Sequence, residues 1–277
     1  MAGLTKFLGF AFSGFLIVVA FISITIKVST FHYFCKKNEE SFFSLIVVYY
    51  FTTFYLLHDM TQIREGIACG IFLFSLNPLQ KGNIRQYVLL FLVAFFFHYS
   101  SILMLLLIPL KKNRLGPLFL MLPIFGFLFH GKSLSIFENE SIMSVLSTVL
   151  PPVADKISKY VDLLSKGEHD NINVFNIVYL MEMVLFYFYY FSRNKDMQNW
   201  EILFFKIFSL SLFSFYFFSD VPVFAFRLAE FFGQVDLILI PFLFSKIRPK
   251  EIGHLLFLLY CGALLYNNIV KQGLFRH

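Results

Sequence analysis

Nine apolar runs, separated by short polar connectors, constrain this chain more than any other feature. They lie at 7–26, 42–57, 63–76, 87–109, 117–130, 173–192, 202–218, 228–245 and 254–270. A membrane span needs about 20 apolar residues, and only a helix lets a single run satisfy its own backbone in lipid. Charged residues make up 14% of the chain, against about 25% in soluble domains. The sequence predicts an all-α, polytopic membrane helix bundle of about eight or nine transmembrane helices, forming a single transmembrane domain over 1–277.

The distribution of basic residues bears on how these runs cross the membrane. Basic connectors occur at 27–37, 81–85, 111–114, 193–195 and 246–250. Lysine and arginine collect in cytoplasmic loops, so a net charge of +6 does not indicate a nucleic-acid partner. If all nine runs cross, the basic connectors fall on both sides of the membrane. If 87–109 is instead a re-entrant hairpin, all five face the cytoplasm, and the polar segment 131–173 becomes an extracytoplasmic loop. We favour the hairpin.

The apex of this hairpin would be His98-Tyr99-Ser100-Ser101, the only polar cluster in its run. Non-helical backbone at membrane depth is tolerated only where it is buried in protein or lines a cavity. The hairpin therefore predicts a cavity at His98. The alternative is a straight helix whose His98 bonds to the carbonyl of a neighbouring helix, which is the more common role of a lone buried histidine.

A polar stretch lies between the second and third apolar runs. Asp59 is predicted to be a helix N-cap, with Gln62 at the N3 position. An arginine such as Arg64 costs about 2.5–3.5 kcal/mol at the centre of a membrane, so it normally has a function or a partner. Gly66 and Gly70 form a small-residue face that another helix can approach closely. In the alternative interpretation, Asp59 only caps the helix and Arg64 only reaches the membrane interface.

Polar residues recur in the later runs. Arg227, Glu230 and Gln234 follow an i, i+3, i+7 spacing, which predicts that they share one face of a helix opening at Arg227. The alternative is that Arg227 and Glu230 form only an internal ion pair. Glu182 is an isolated carboxylate within its run, and Asp220 lies just outside the next one.

Arg64 and Arg227 are predicted to lie on one side of the membrane, with His98 below them. The carboxylates expected to be at hand for substrate are those of Asp59, Asp220 and Glu230. Two guanidinium groups can grip a pyrophosphate bidentately without a metal ion. A histidine can act as a base toward a sugar hydroxyl, or donate a hydrogen bond to it. No metal-ligand spacing, disulfide pattern or nucleotide-binding motif occurs in the sequence. These residues alone do not specify a reaction.

Two sequence blocks form a pattern that extends beyond single residues. They are Gln62-Ile63-Arg64-Glu65-Gly66-Ile67-Ala68 and Ala94-Phe95-Phe96-Phe97-His98-Tyr99-Ser100-Ser101, with Phe74-Ser75-Leu76 and a lysine-containing connector between them. The pattern resembles that of the EpsG family of Wzy-like polysaccharide polymerases. The family pattern is roughly QIRQGIA, a basic loop, and then A-x-x-x-H-x-S. The resemblance covers about residues 45–110. Lys159-Tyr160, and Arg227 ahead of an apolar run ending near Ile240-Pro241, match more loosely.

The resemblance implies a membrane glycosyltransferase with a GT-C-like fold that needs no metal ion or cofactor. Such polymerases transfer a glycan from one undecaprenyl-pyrophosphate carrier to another lipid-linked repeat unit, at the outer face of the bacterial cytoplasmic membrane. The product is O-antigen, capsular polysaccharide or exopolysaccharide. The implied partners are the lipid-linked oligosaccharide, membrane lipid and a chain-length regulator protein. The candidate catalytic residues are Arg64, His98 and Arg227, and the candidate substrate-binding residues are Asp59, Gln62, Tyr160 and Glu230.

The chain departs from the family pattern at Glu65, where the family more often has glutamine. We also expect it to lack the further N-terminal helices of the family, and an outward loop bearing an arginine and an Asp-Tyr element. Two other functions stay open. One is a transporter or flippase for lipid-linked glycans, although the sequence shows no repeated halves of the kind many transporters have. The other is a related transferase, such as an O-antigen ligase or an acyltransferase.

Overall fold

The computed structural model describes residues 12–37, 42–59, 62–111, 114–149, 151–165, 172–193 and 195–271. All regular secondary structure in these ranges is helical, which confirms the all-α prediction for them. The first part comprises α1 (Phe12–Lys37), α2 (Phe43–Tyr50), a π-helical segment (Phe51–Asp59), α3 (Ile63–Gln80), α4 (Ile84–Phe97) and a 3₁₀ helix (Tyr99–Lys111). The middle part comprises α5 (Pro117–Leu128), α6 (Ser133–Phe137), α7 (Glu140–Val149), α8 (Pro151–Ser165) and α9 (Ile177–Arg193). The last part comprises α10 (Asn199–Phe217), α11 (Pro222–Gly233), α12 (Asp236–Ser245), α13 (Lys250–Tyr266) and a short π-helical segment (Asn267–Lys271).

Three described helical stretches are long and apolar enough to cross a membrane: Ile17–Lys36, Asn199–Phe217 and Lys250–Ile269. Several of the remaining apolar helices are shorter. Helix α4, for example, has 14 residues, and such a helix extends about 21 Å against a hydrocarbon core of about 30 Å. The described part of the chain therefore contains three candidate membrane spans together with shorter apolar helices. The predicted total of about eight or nine crossings stays a prediction.

The helices form two compact units. The first comprises 1–113, 198–204 and 234–277, and the second comprises 114–197 and 205–233. Each has its own aromatic core. In the first unit the Phe34 ring packs 5.4 Å from the Trp200 ring, centroid to centroid, and in the second the Phe186 ring stacks 4.1 Å from that of Phe205. A single transmembrane domain over the whole chain stays a prediction.

Helix α3 lies at the centre of the first unit, where α1, α4 and the 3₁₀ helix pack against it. Most of its residues from Glu65 to Leu79 are buried. A Cβ atom on Gly70 would lie 3.4 Å from both the Lys27 Cγ atom and the Ser23 carbonyl oxygen of α1. The predicted close approach of another helix at Gly70 is therefore confirmed, and the approaching helix is α1.

Helices α1 and α3 run parallel to each other. Ile26 of α1 lies beside Gly70 of α3. Seven residues further along each helix, the Tyr33 hydroxyl donates a hydrogen bond to Oδ1 of Asn77 at 2.9 Å. The two helices therefore end on the same side of the unit.

The prediction that α1 ends at residue 26, with a basic connector at 27–37, is wrong. Helix α1 continues to Lys37, and Lys27 is fully buried within it. The aliphatic stem of Lys27 packs in the space beside Gly70, and its Nζ atom lies 5.2 Å from the centroid of the Tyr50 ring. A lysine stem packs as apolar surface, and the ring face attracts its ammonium group. A lysine that looks like the end of a span in the sequence therefore lies inside one.

The predicted fold-back at His98 is observed. Helix α4 ends at Phe97, His98 is extended (φ −149°, ψ 129°), and the 3₁₀ helix follows. The Tyr87 hydroxyl of α4 donates a hydrogen bond to the Met104 carbonyl of the 3₁₀ helix at 2.6 Å. In one straight α-helix these residues would lie about 25 Å apart. The straight-helix alternative for 87–109 is therefore wrong.

With this hairpin, exposed lysines lie at one end of the first unit and the motif residues lie at the other. Lys36, Lys81 and Lys111 lie at or just beyond the ends of α1, α3 and the 3₁₀ helix, and all three are exposed. Helix α4 runs back along α3 and brings His98 to the end at which Arg64 lies. The basic connectors and the motif residues are therefore separated by the length of the unit.

The eighth predicted run is not one helix. Helix α11 begins at Pro222 and ends at Gly233, and a turn containing Gln234 separates it from α12. Proline is favoured at the first helical position because the N–H it lacks would have no partner inside the helix. The prediction that the helix opens at Arg227 is wrong. Arg227 and Glu230 both lie on α11, but Gln234 lies in the turn after it and does not share their helix face.

Candidate functional site

The site is built around the start of α3. The helix begins at Ile63, and the backbone N–H groups of Glu65 and Gly66 donate to the Gln62 carbonyl at 2.9 and 3.0 Å. Gln62 therefore occupies the N-cap position, without a capping hydrogen bond from its side chain. The prediction of Asp59 as N-cap is wrong, because the π-helical segment carries the chain through Asp59.

Arg64 and Glu65 are neighbours in sequence but differ in surroundings. Arg64 is exposed, whereas Glu65 is 4% exposed. Both lie in the first turn of α3, where the helix dipole stabilises an anion and opposes a cation, each by about 0.3–1 kcal/mol. Among the described residues, no carboxylate forms an ion pair with Arg64. A contribution to helix stability therefore does not explain the presence of an arginine at position 64, where the side chain is exposed.

His98 meets α3 at the hairpin apex. Its Nε2 atom lies 3.8 Å from Oε2 of Glu65, and the two side chains are 22% and 5% exposed. Its Nδ1 atom accepts a hydrogen bond from the backbone N–H of Ser100 at 3.3 Å. A backbone N–H group can only donate, so in the neutral ring Nδ1 carries the lone pair and Nε2 carries the proton.

Ser101 adds a buried hydroxyl at the apex. Its backbone N–H donates to the His98 carbonyl at 3.1 Å and opens the 3₁₀ helix. Its Oγ atom is buried and has no hydrogen-bond partner within the described part of the chain. Buried hydroxyl groups are usually paired, so this one is an exception. The cavity predicted at His98 stays a prediction.

The structure brings together some of the predicted site residues. Three of them lie at the same end of the first unit: Gln62, Arg64 and His98. The Gln62 side chain is exposed. Asp59 and Tyr160 belong to helical segments, the latter to α8, but their side chains lie outside the described part of the structure.

Arg227 and Glu230 belong to the second unit. Arg227 is exposed on α11 and Glu230 is half-buried. The ion-pair interpretation of their spacing stays a prediction. That Arg227 and Arg64 act on one ligand stays a prediction.

The Asp220 carboxylate has a structural partner. It accepts hydrogen bonds from the Ser133 hydroxyl and from the Leu134 backbone N–H, the latter at 2.6 Å. Asp220 thus caps the start of α6 and ties the turn after α10 to the segment 131–173. The expectation that this carboxylate is at hand for substrate is not supported by its position.

Comparison with known proteins decides the family. A family profile described as the EpsG family matches residues 1–275. The chain belongs to the EpsG family. No curated protein and no solved structure matches it. EpsG membership indicates a membrane protein of polysaccharide biosynthesis with glycosyltransferase-like character.

Glu65 is the site residue that sequence reasoning missed. It appears in the sequence only as a departure from the EpsG pattern. Its contact with His98 joins the two blocks of that pattern, which are about 30 residues apart in this chain and meet because α4 runs back along α3. The signal that could have found it was the short connector between α3 and α4, since two adjacent antiparallel helices of 18 and 14 residues bring His98 back to the start of α3.

Proposed function

We propose that this EpsG protein polymerises undecaprenyl-pyrophosphate-linked oligosaccharide repeat units into O-antigen, capsular polysaccharide or exopolysaccharide. The observation that carries the proposal is the meeting of the two motif blocks, with exposed Arg64 beside the His98–Glu65 contact. In this proposal the reaction takes place at the outer face of the bacterial cytoplasmic membrane, in a multi-pass protein. The chemistry draws its positive charge from arginine and needs no metal ion or cofactor.

The proposed orientation follows from the two ends of the first unit. Lys36, Lys81 and Lys111 lie at one end, and lysine-rich connectors favour the cytoplasmic side. Arg64 and His98 lie at the opposite end and therefore face the outer side. That is the side on which the proposed substrates, lipid-linked repeat units already carried across the membrane, are joined.

Arg64 is proposed to bind the pyrophosphate of the donor lipid. Its guanidinium can make two parallel charged hydrogen bonds to phosphate oxygens. Arg227 is proposed as a further catalytic residue from its place in the family pattern. The residues proposed to form hydrogen bonds with the sugars are Gln62, Asp59, Tyr160 and Glu230.

His98 is proposed to be the general base. The acceptor hydroxyl gives its proton to the imidazole as its oxygen forms a bond to the anomeric carbon of the donor glycan. The bond between that carbon and the pyrophosphate oxygen breaks, and undecaprenyl pyrophosphate leaves with its electron pair. Loss of a general base typically lowers the rate by about 10²–10⁴-fold.

A deletion strain complemented with single variants tests the proposal. We expect His98→Gln to reach the membrane at normal abundance but to give single repeat units, because glutamine keeps a donor and an acceptor but does not take a proton at neutral pH. His254→Gln is the matched control, since His254 is exposed on α13 of the same unit. Full-length polymer from His98→Gln would rule out His98 as the base.

The same deletion strain separates the other two functions. A flippase would use the same exposed arginine to move a lipid-linked anion, and its loss would leave no glycan on the surface. Loss of a ligase would likewise remove surface glycan, while polymer would still form on the carrier lipid. Single repeat units on the surface mark the loss of a polymerase.

A further inference from the structure

The two nitrogen atoms of the His98 ring have different neighbours. Nε2 lies 3.8 Å from Oε2 of Glu65, and Nδ1 accepts from the Ser100 N–H at 3.3 Å. A neutral imidazole has one donor and one acceptor nitrogen. The carboxylate requires a donor and the amide requires an acceptor. Both neighbours therefore favour the tautomer that carries its proton on Nε2.

Glu65 is well placed to hold this arrangement. Its side chain is 5% exposed, and the packing of α3 at the centre of the unit fixes its position. The nearby helix N-terminus stabilises its negative charge. A carboxylate is costly to bury without compensating contacts, and here the burial places the charge against the ring of His98.

We infer that Glu65 is a positioning residue for His98, and that Nδ1 is the atom that receives the proton of the acceptor hydroxyl. This inference rests on the proposed function. The Nδ1 contact with Ser100 is at the long end of the hydrogen-bond range, so a sugar hydroxyl can replace the amide there. The acceptor O–H bond then breaks and an Nδ1–H bond forms.

Glu65 acts on the product of this proton transfer. Once Nδ1 is protonated the ring is an imidazolium, and its Nε2–H faces a carboxylate. The present 3.8 Å separation is longer than a hydrogen bond, and such contacts often shorten only when substrate binds. The carboxylate therefore stabilises the charge that appears as the acceptor is deprotonated, which is the role of the aspartate in a Ser-His-Asp triad.

Two substitutions separate the charge of Glu65 from its shape. Glu65→Gln keeps an acceptor oxygen of the same size but removes the charge. Glu65→Leu removes both the charge and the acceptor. Glu201→Gln is the matched control, because Glu201 is also buried in the first turn of a helix and accepts from the Gln198 N–H at 2.9 Å.

The experiment measures the initial rate of coupling of a lipid-linked repeat unit in membrane vesicles, together with the folded fraction in detergent. We expect Glu65→Gln to lower kcat by about 10-fold or more with little change in KM, and Glu65→Leu by about 100-fold or more. Glu201→Gln is expected to keep the wild-type rate. The deciding measurement is the double variant His98→Gln with Glu65→Gln, which we expect to be no slower than His98→Gln alone, since residues that act as a unit are not additive.

Three results would overturn the inference or its basis, and they differ from one another. Wild-type kcat in Glu65→Gln, with His98→Gln impaired, would remove Glu65 from the mechanism and leave the proposed function standing. Multiplicative losses in the double variant would make Glu65 an independent structural residue. Wild-type kcat in His98→Gln would overturn the proposed base itself. If Glu65→Leu does not fold, Glu65→Gln and the double variant still decide.

Discussion

The hydroxyl of Tyr87 donates a hydrogen bond to the carbonyl oxygen of Met104, 2.6 Å away, and joins the two arms of the hairpin. Both residues are fully buried. We expect Tyr87→Phe to lower the free energy of unfolding by about 0.5–1.5 kcal/mol, because the carbonyl loses this donor. Thermal unfolding in detergent measures the change. Tyr266→Phe is the control, since Tyr266 is 61% exposed, and equal effects of the two variants would deny the bond a structural role.

The hairpin makes a topology prediction that thiol labelling can test. Lys81 and Lys111 lie at the same end of the first unit and are exposed. We expect Lys81→Cys and Lys111→Cys both to be protected from an impermeant thiol reagent in intact cells, and Asn139→Cys to be labelled. The native Cys35, Cys69 and Cys261 are buried, so the background should be low. Labelling of Lys111→Cys without Lys81→Cys would mean that 87–109 crosses the membrane.

If Arg64 binds the pyrophosphate, a substitution that keeps the positive charge but changes the hydrogen-bonding geometry of the side chain should reduce polymerisation. We expect Arg64→Lys to keep the positive charge but to lose the bidentate fork. One charged hydrogen bond is worth about 1.5–3 kcal/mol, so the coupling rate should fall by about 10- to 100-fold. Polymer length and membrane abundance are measured together.

Arg85 provides the matched control for Arg64. It is exposed near the start of α4, at the opposite end of the first unit. Arg85→Lys should give polymer of normal length. Normal polymer from Arg64→Ala as well would leave Arg64 as an interface anchor only.

Two glycines of α13 should respond in opposite directions to the same change. A Cβ atom on Gly253 would lie 2.7 Å from the Phe244 carbonyl oxygen and 3.1 Å from the Ile247 Cβ atom, whereas one on Gly262 would meet nothing within 4 Å. We expect Gly253→Ala to destabilise the fold by about 1–3 kcal/mol through overpacking. Gly262→Ala should stabilise it by about 0.5–1 kcal/mol, because alanine is the better helix former. A stable Gly253→Ala protein would show that the turn between α12 and α13 can open.

Several features of this protein could be predicted from residues that are close in sequence. Apolar runs lead to helices because lipid offers the backbone no partner. The break at His98 coincides with the only polar cluster in its run, and Gly70 admits α1 because it has no side chain. The two motif blocks likewise indicated the family, which a match over 1–275 shows. Each of these signals lies within a short stretch of sequence, so it can be recognised without knowing which distant residues the fold places beside it.

Contacts between distant residues decided the rest. Lys27 looked like the end of a span, but Gly70 and Tyr50, both far along the chain, provide room for its stem and a ring for its charge. Glu65 looked like a variant motif residue, but α4 returns His98 to within 3.8 Å of it. Asp220 looked available, but Ser133 and Leu134 engage its carboxylate. Local hydropathy and spacing carry no information about such partners, because the free energy of burying a charge depends on what the fold places beside it.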